Sequence, residues 1–201
     1  MIDHFSRRDL FSRGAKGGAA LVVAGSTFGL LASAAAADTF PDGDLAYLRM
    51  LIATELLGAD FYDSAVQAQP YGNRGQKQLK LALFNEGEHY AALSGLFAGA
   101  GQTPTTADDI DFSYPEGSFD TTAAVTKLAV TLETLFLGTY LGAAGGVQTA
   151  SLQQPIAQIA ANQAQHLTVF TQLLGHSGFS VGMPAPLPMD AATQAMDAYT
   201  S

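Results

Sequence analysis

Apolar residues recur every three or four positions through four long stretches of the chain, the period of helices that each bury one face. The row Leu152, Ile156, Ile159, Gln163, His166, Phe170, Leu173 is the most regular and predicts a helix over about 151–174. Ala82, Glu86, His89, Leu93 and Phe97 form a second row inside a helix over about 76–98. Leu48, Leu51, Glu55, Ala59 and Tyr62 align in a helix that begins after an Asp-rich start at 41–44 and runs to about Gln69. Ala129, Glu133, Phe136 and Tyr140 align in another over about 121–144. Breakers separate the four: Pro70 and Gly72, then Gly99 and Gly101, then Gly145 and Gly146, with Gly175 behind the last. Pro155 is placed in the first turn of the fourth helix, where its missing N–H is tolerated. Residues 183–188 read as extended and Asp190 to Tyr199 as a short terminal helix, and no convincing strand or tandem repeat appears.

Short links join the first helix to the second and the third to the fourth, so two antiparallel hairpins are expected. Between them lies a loop of roughly 20 residues, about Gly101 to Asp120, long enough to be a crossover along the bundle. The fold class is all-α, an antiparallel four-helix bundle with a short C-terminal helix.

Each predicted inward face carries polar residues at mid-helix. Only five glutamates occur in the chain, and three of them, Glu55, Glu86 and Glu133, fall on these rows. His89 and His166 do as well, whereas Glu88 points off its row and His176 follows the last helix. Glu86 and His89 are three apart, so a carboxylate and an imidazole share one helix face. Arg49, Arg74, Lys77, Lys80 and Lys127 lie outside this layer. Buried carboxylates need compensation, and a divalent cation is the simplest form of it. A metal-free network of hydrogen bonds would satisfy the same residues in another way. Tyr62 and Tyr140 lie two turns along the same faces and read as core aromatics or as donors to the carboxylates.

Apolar residues make up 48% of the 201, enough for a substantial core, and there is no cysteine to build a disulfide or a thiolate metal site. Residues 1–37 read as a targeting segment: Ser6-Arg7-Arg8-Asp9-Leu10-Phe11 is a twin-arginine pattern, and an apolar Gly/Ala-rich run to Leu31 and small residues at 32–37 follow. The expectation is a processed, periplasmic protein, residues 38–201, with no stable membrane insertion. Beyond residue 37 there are 5 basic and 16 acidic side chains, net −11, which argues against a nucleic-acid partner.

These residues resemble the ferritin-like superfamily, and within it the exported, desiccation-associated ferritin-like proteins. The resemblance spans about Leu45 to Leu174 and rests on Thr54-Glu55 with Phe61-Tyr62, on Asn85-Glu86-Gly87-Glu88-His89, on Leu132-Glu133 with Gly138 to Ala144, and on Gln165-His166. It implies that Glu55, Glu86, His89, Glu133 and His166 are ligands of iron or manganese, one or two ions. Gln163 departs from the pattern, standing where a second bridging glutamate belongs. A neutral amide can ligate through its oxygen but bridges poorly, so one tight ion at Glu55, Glu86 and His89 is expected, with a weaker or empty neighbour at Glu133, His166 and a shared Glu86.

Three functions fit such a centre: metal binding in metal, oxidative or desiccation stress protection; a structural or partner-binding bundle with a decayed, metal-free site; or a di-metal oxidase or peroxide-scavenging enzyme. Gln163 shifts weight away from the enzyme. Metal ions are the expected partners, and a homodimer is the candidate assembly.

Overall fold

The computed structural model describes residues 39–178 and 182–200; the segment read as an export signal lies outside them. Five α-helices follow in order: α1 Asp42–Ala68, α2 Asn73–Gly99, α3 Thr122–Gly146, α4 Ala150–Leu173 and α5 Met189–Asp197. Among the described residues no strand forms, only an isolated bridge between Phe112 and Thr200. The helices pack as the hairpins α1/α2 and α3/α4, as the short links between them predict, with α5 laid against α1 and α3.

Local chemistry sets the helix ends. Gln69 takes the left-handed conformation, φ 50°, and Pro70 behind it cannot continue α1. α2 opens at Asn73, earlier than the expected Gln76. First-turn amides need no intrahelical acceptor, so the exposed, polar Asn73 and Arg74 fit there. Thr121 caps α3 by accepting the amide of Ala124 at 3.1 Å. The start of α4 is capped from outside: Asp44 of α1 accepts the amides of Gln148 and Thr149 at 2.9 and 2.8 Å. Burial alone would raise the Asp44 pKa, but hydrogen bonds from Thr149 and Gln148 hold it below the usual value. Because α4 opens at Ala150, Pro155 falls in its second turn rather than its first, and the helix continues through it.

The apolar rows meet inside, except that Leu173, in the last turn of α4, is 43% exposed beyond the end of the bundle. Two apolar clusters result. One gathers Leu48, Leu51, Leu93, Phe97, Ile156 and Ile159; the other gathers Tyr62, Leu79, Ala129, Phe136 and Phe170. The mid-helix polar layer lies between them. α3 is long and apolar enough to cross a membrane, but it is a core helix here, with Glu133 buried at its middle.

The two side seams of the bundle differ. Over α1 and α3, the crossover and the C-terminal segment form a cover. Tyr114 donates to Asp60 Oδ1 at 2.9 Å, the Ser113 amide donates to the Tyr199 carbonyl at 2.9 Å, and Thr54 donates to Met196 Sδ at 3.3 Å. The Leu187 amide donates to the Gly138 carbonyl at 2.8 Å, and Gly142 has no room for a Cβ, which would strike the Leu187 carbonyl. Gly138 and Gly142 thus make the track on which the C-terminal segment crosses α3. Over α2 and α4 no comparable cover exists among the described residues, and the two helices touch only sparsely.

Candidate metal centre

Between the two apolar clusters, Glu55, Glu86, Glu133 and Gln163 are fully buried, while His89 and His166 are 5% and 7% exposed. All six positions singled out from the sequence therefore converge. Among the described residues, the ion pairs of these carboxylates are with His89 and His166 alone. Glu88 is half-buried off this layer and His176 is exposed, as expected.

The donors form two triads, Glu55/Glu86/His89 and Glu86/Glu133/His166. In each, one ligand atom per residue lies within 4.8 Å of the others. Glu86 belongs to both, so the triads have the same donor types: two carboxylates and one imidazole.

Their hydrogen bonding is not the same. In the first triad His89 Nδ1 meets Glu55 Oε2 at 3.1 Å, and the Gln163 amide nitrogen donates to Glu86 Oε2 at 3.1 Å and to Glu55 Oε1 at 3.4 Å. In the second, His166 Nδ1 lies 3.1 Å from Glu86 Oε1 and 3.2 Å from Glu133 Oε1. These approaches lack hydrogen-bond alignment: His166 Nδ1, Glu86 Oε1, Glu133 Oε2 and the Gln163 carbonyl oxygen are buried with no hydrogen-bond partner. Leaving such atoms unpaired in a dry interior costs about 1–3 kcal/mol each. A cation drawing these lone pairs to one point would remove that cost, and carboxylate oxygen with imidazole nitrogen suits iron or manganese. The residues present fit a divalent metal.

Supporting contacts complete the layer. Tyr62 donates to Glu133 and Tyr140 donates to Glu55, each reaching the carboxylate of the other helix. Both pairs hold only if α1 and α3 run antiparallel, since numbers rise along one as they fall along the other. The sequence placed the tyrosines on the right faces but could not show this exchange, because it depends on how two helices remote in the chain pack. Asn85 Nδ2 meets His166 Nε2 at 3.0 Å and holds the ring with Nδ1 turned to the carboxylates. Gly58 of α1 backs Glu86: a Cβ there would lie 3.2 Å from its carboxylate. Asn85 and Gly58 carried no periodic signal that could have marked them beforehand.

Burial and charge set the ionisation. Burial pushes Glu55 well above the usual carboxylate range, and the nearby Glu86 charge adds to this. Burial also raises Glu133. Glu86 moves the other way: burial would raise it, but Glu55, His166 and His89 close around its carboxylate and hold it well below the usual value. Burial works against charge on the two imidazoles, yet Glu55 and Glu86 bring His89 up to about 10, and Glu133 and Glu86 do the same for His166. Tyr62 and Tyr140 are pushed well above the normal phenol range by burial, and then by Glu133 and Glu55 respectively. They remain protonated and can only donate to these carboxylates.

Comparison with known families agrees with the fold. The ferritin-like domain family matches residues 43–176, all four long helices. The chain belongs to that family. No curated protein sequence matches it.

Proposed function

We propose that this protein is an exported ferritin-like bundle that binds divalent iron or manganese in its central layer and serves in protection against metal, oxidative or desiccation stress. One observation carries the metal reading: two buried Glu/Glu/His triads share Glu86, with ligand atoms within 4.8 Å of one another, polar atoms left without a hydrogen-bond partner, and, among the described residues, no lysine or arginine paired with them. Glu55, Glu86, His89, Glu133 and His166 are the assigned ligands. Gln163 is the neutral member of the layer, giving its amide protons to the first triad.

The first ion goes to Glu86, Glu133 and His166. Filling Glu55, Glu86 and His89 requires breaking the His89–Glu55 contact and both Gln163 hydrogen bonds, each worth about 1 kcal/mol. In the second triad the His166 contacts to Glu86 and Glu133, at 3.1 and 3.2 Å, must also give way, but they lack hydrogen-bond alignment, and no amide hydrogen bond ties Glu133 among the described residues. The sequence reading, which also gave Glu86 to both sites, expected the tighter ion at Glu55, Glu86 and His89; the hydrogen bonds around that triad favour the other one. When bound, a divalent ion would supply Lewis acidity or one-electron chemistry. The chain itself fixes the donors: Tyr62 and Tyr140 orient the outer glutamates, Asn85 orients His166, and the apolar clusters exclude water.

Export rests on the twin-arginine pattern at Arg7 and Arg8 and on the apolar run behind it. The stress role rests on the resemblance alone. The proposal is tested on full-length protein expressed with its own N-terminus, fractionated, and purified without chelators. Iron or manganese at one or more ions per chain in the periplasmic fraction is expected, with Arg7→Lys/Arg8→Lys remaining in the cytoplasm. A metal-free protein that takes up neither ion would instead assign the layer to structure.

A further inference from the structure

Building on the metal-site reading, we infer that the cleft between α2 and α4 is the way in for the cation, lined with carboxamides that stand in for its water shell. A cavity of about 180 Å³ opens on this uncovered seam, lined by Gln78, Leu81, Asn85, Asn162, Gln165 and His166. That volume has room for several water molecules, each occupying about 30 Å³. Four of the lining side chains are primary amides, and none is a carboxylate, lysine or arginine.

At the inner end His166 presents its Nε2 edge to Asn85 while Nδ1 faces Glu86 and Glu133. The ring therefore stands between the cleft and the second triad. Asn162 adds an independent observation: its Oδ1 is buried without a hydrogen-bond partner. A buried carbonyl oxygen left unpaired beside a path to three carboxylates has the chemistry of a transient ligand for a hard cation. Amide oxygens can replace hydration waters one at a time yet hold the ion more weakly than carboxylates do, so it would pass inward rather than lodge. The opposite seam offers no such path, because the crossover and α5 lie over it.

The test is the rate of Co²⁺ uptake by metal-stripped full-length protein, read by stopped-flow absorbance, with the final number of ions measured separately. Gln165→Phe, which fills the exposed mouth, should slow uptake by about tenfold or more, the effect of about 1.4 kcal/mol at a barrier. Asn162→Leu should slow it less, and Gln153→Phe, on an exposed turn of the same helix, should leave it unchanged. The final stoichiometry should match wild type in all three. Wild-type rates in both Gln165→Phe and Asn162→Leu, at full stoichiometry, would overturn the cleft while leaving the metal site intact. Failure of wild type to bind Co²⁺ at all would overturn both. A slowed Gln165→Phe whose stoichiometry also falls would point to a damaged site and count against the cleft.

Discussion

The triads on either side of Glu86 have the same donor types and opposite states. Glu55, Glu86 and His89 are closed on themselves: His89 contacts Glu55, Tyr140 donates to Glu55, and Gln163 donates to both carboxylates. Glu86, Glu133 and His166 have a tyrosine too, but His166 Nδ1, Glu86 Oε1 and Glu133 Oε2 make no hydrogen bond, and His166 borders a cleft. Ligand type alone therefore does not rank two metal sites. What ranks them is how much hydrogen bonding an ion must displace, and Gln163 concentrates that cost on one side.

The largest effect should come from removing what the triads share. Glu86→Gln deprives both of a carboxylate, and Mn²⁺ affinity measured by calorimetry should fall by more than about 100-fold at every site, beyond the usual loss from a supporting residue. If only one binding event is lost, Glu86 is not shared. Next, Glu133→Gln and Glu55→Gln should separate the halves. The first should abolish the tighter binding event, and the second should leave it within a few-fold of wild type while weakening the next. Equal losses in both would break the comparison.

Replacing the asymmetric residue should narrow the difference. Gln163→Glu exchanges an amide donor for a second bridging carboxylate, so a second ion should bind with affinity approaching the first. Tyr62→Phe and Tyr140→Phe should have smaller effects, about tenfold in affinity, on the Glu133 side and the Glu55 side respectively. The same-helix alternative, in which Tyr62 supports Glu55, predicts the reverse assignment.

The pH dependence follows from the histidines. In metal-free protein both are raised from 6.5 to about 10, so the stabilisation they give as cations is complete below pH 6.5 and is lost as pH rises through about 10. Metal needs the neutral ring and competes with that proton. Chelator-treated protein should lose thermal stability between these limits, while metal affinity should increase over the same range. Parallel trends in the two would contradict the competition.

Much of this was legible in the chain. The four rows of apolar residues predicted the helices, and the rarity of glutamate made Glu55, Glu86 and Glu133 conspicuous at mid-row. All six predicted site residues lie in one layer because a period of three or four keeps them on buried faces. What the periodicity could not supply was relation between helices. The exchange of tyrosines and the grip of Asn85 on His166 depend on how remote segments face each other, and the sharing of Glu86 came from the resemblance rather than from the period. The shift of Pro155 into the second turn has a similar origin, since α4 is begun by a cap from Asp44, more than a hundred residues earlier. The outward turn of Leu173 reflects where the bundle ends rather than the residue's own apolarity.

The central claim is that a divalent metal binds in this layer, first at the triad left open. A crystal of the full-length or processed protein, supplied with one equivalent of Mn²⁺ per chain and measured at the manganese absorption edge, tests it most directly. One anomalous peak bounded by Glu86, Glu133 and His166 is the predicted result. A peak bounded instead by Glu55, Glu86 and His89 would contradict the ranking, and no peak in the bundle would contradict the metal site itself.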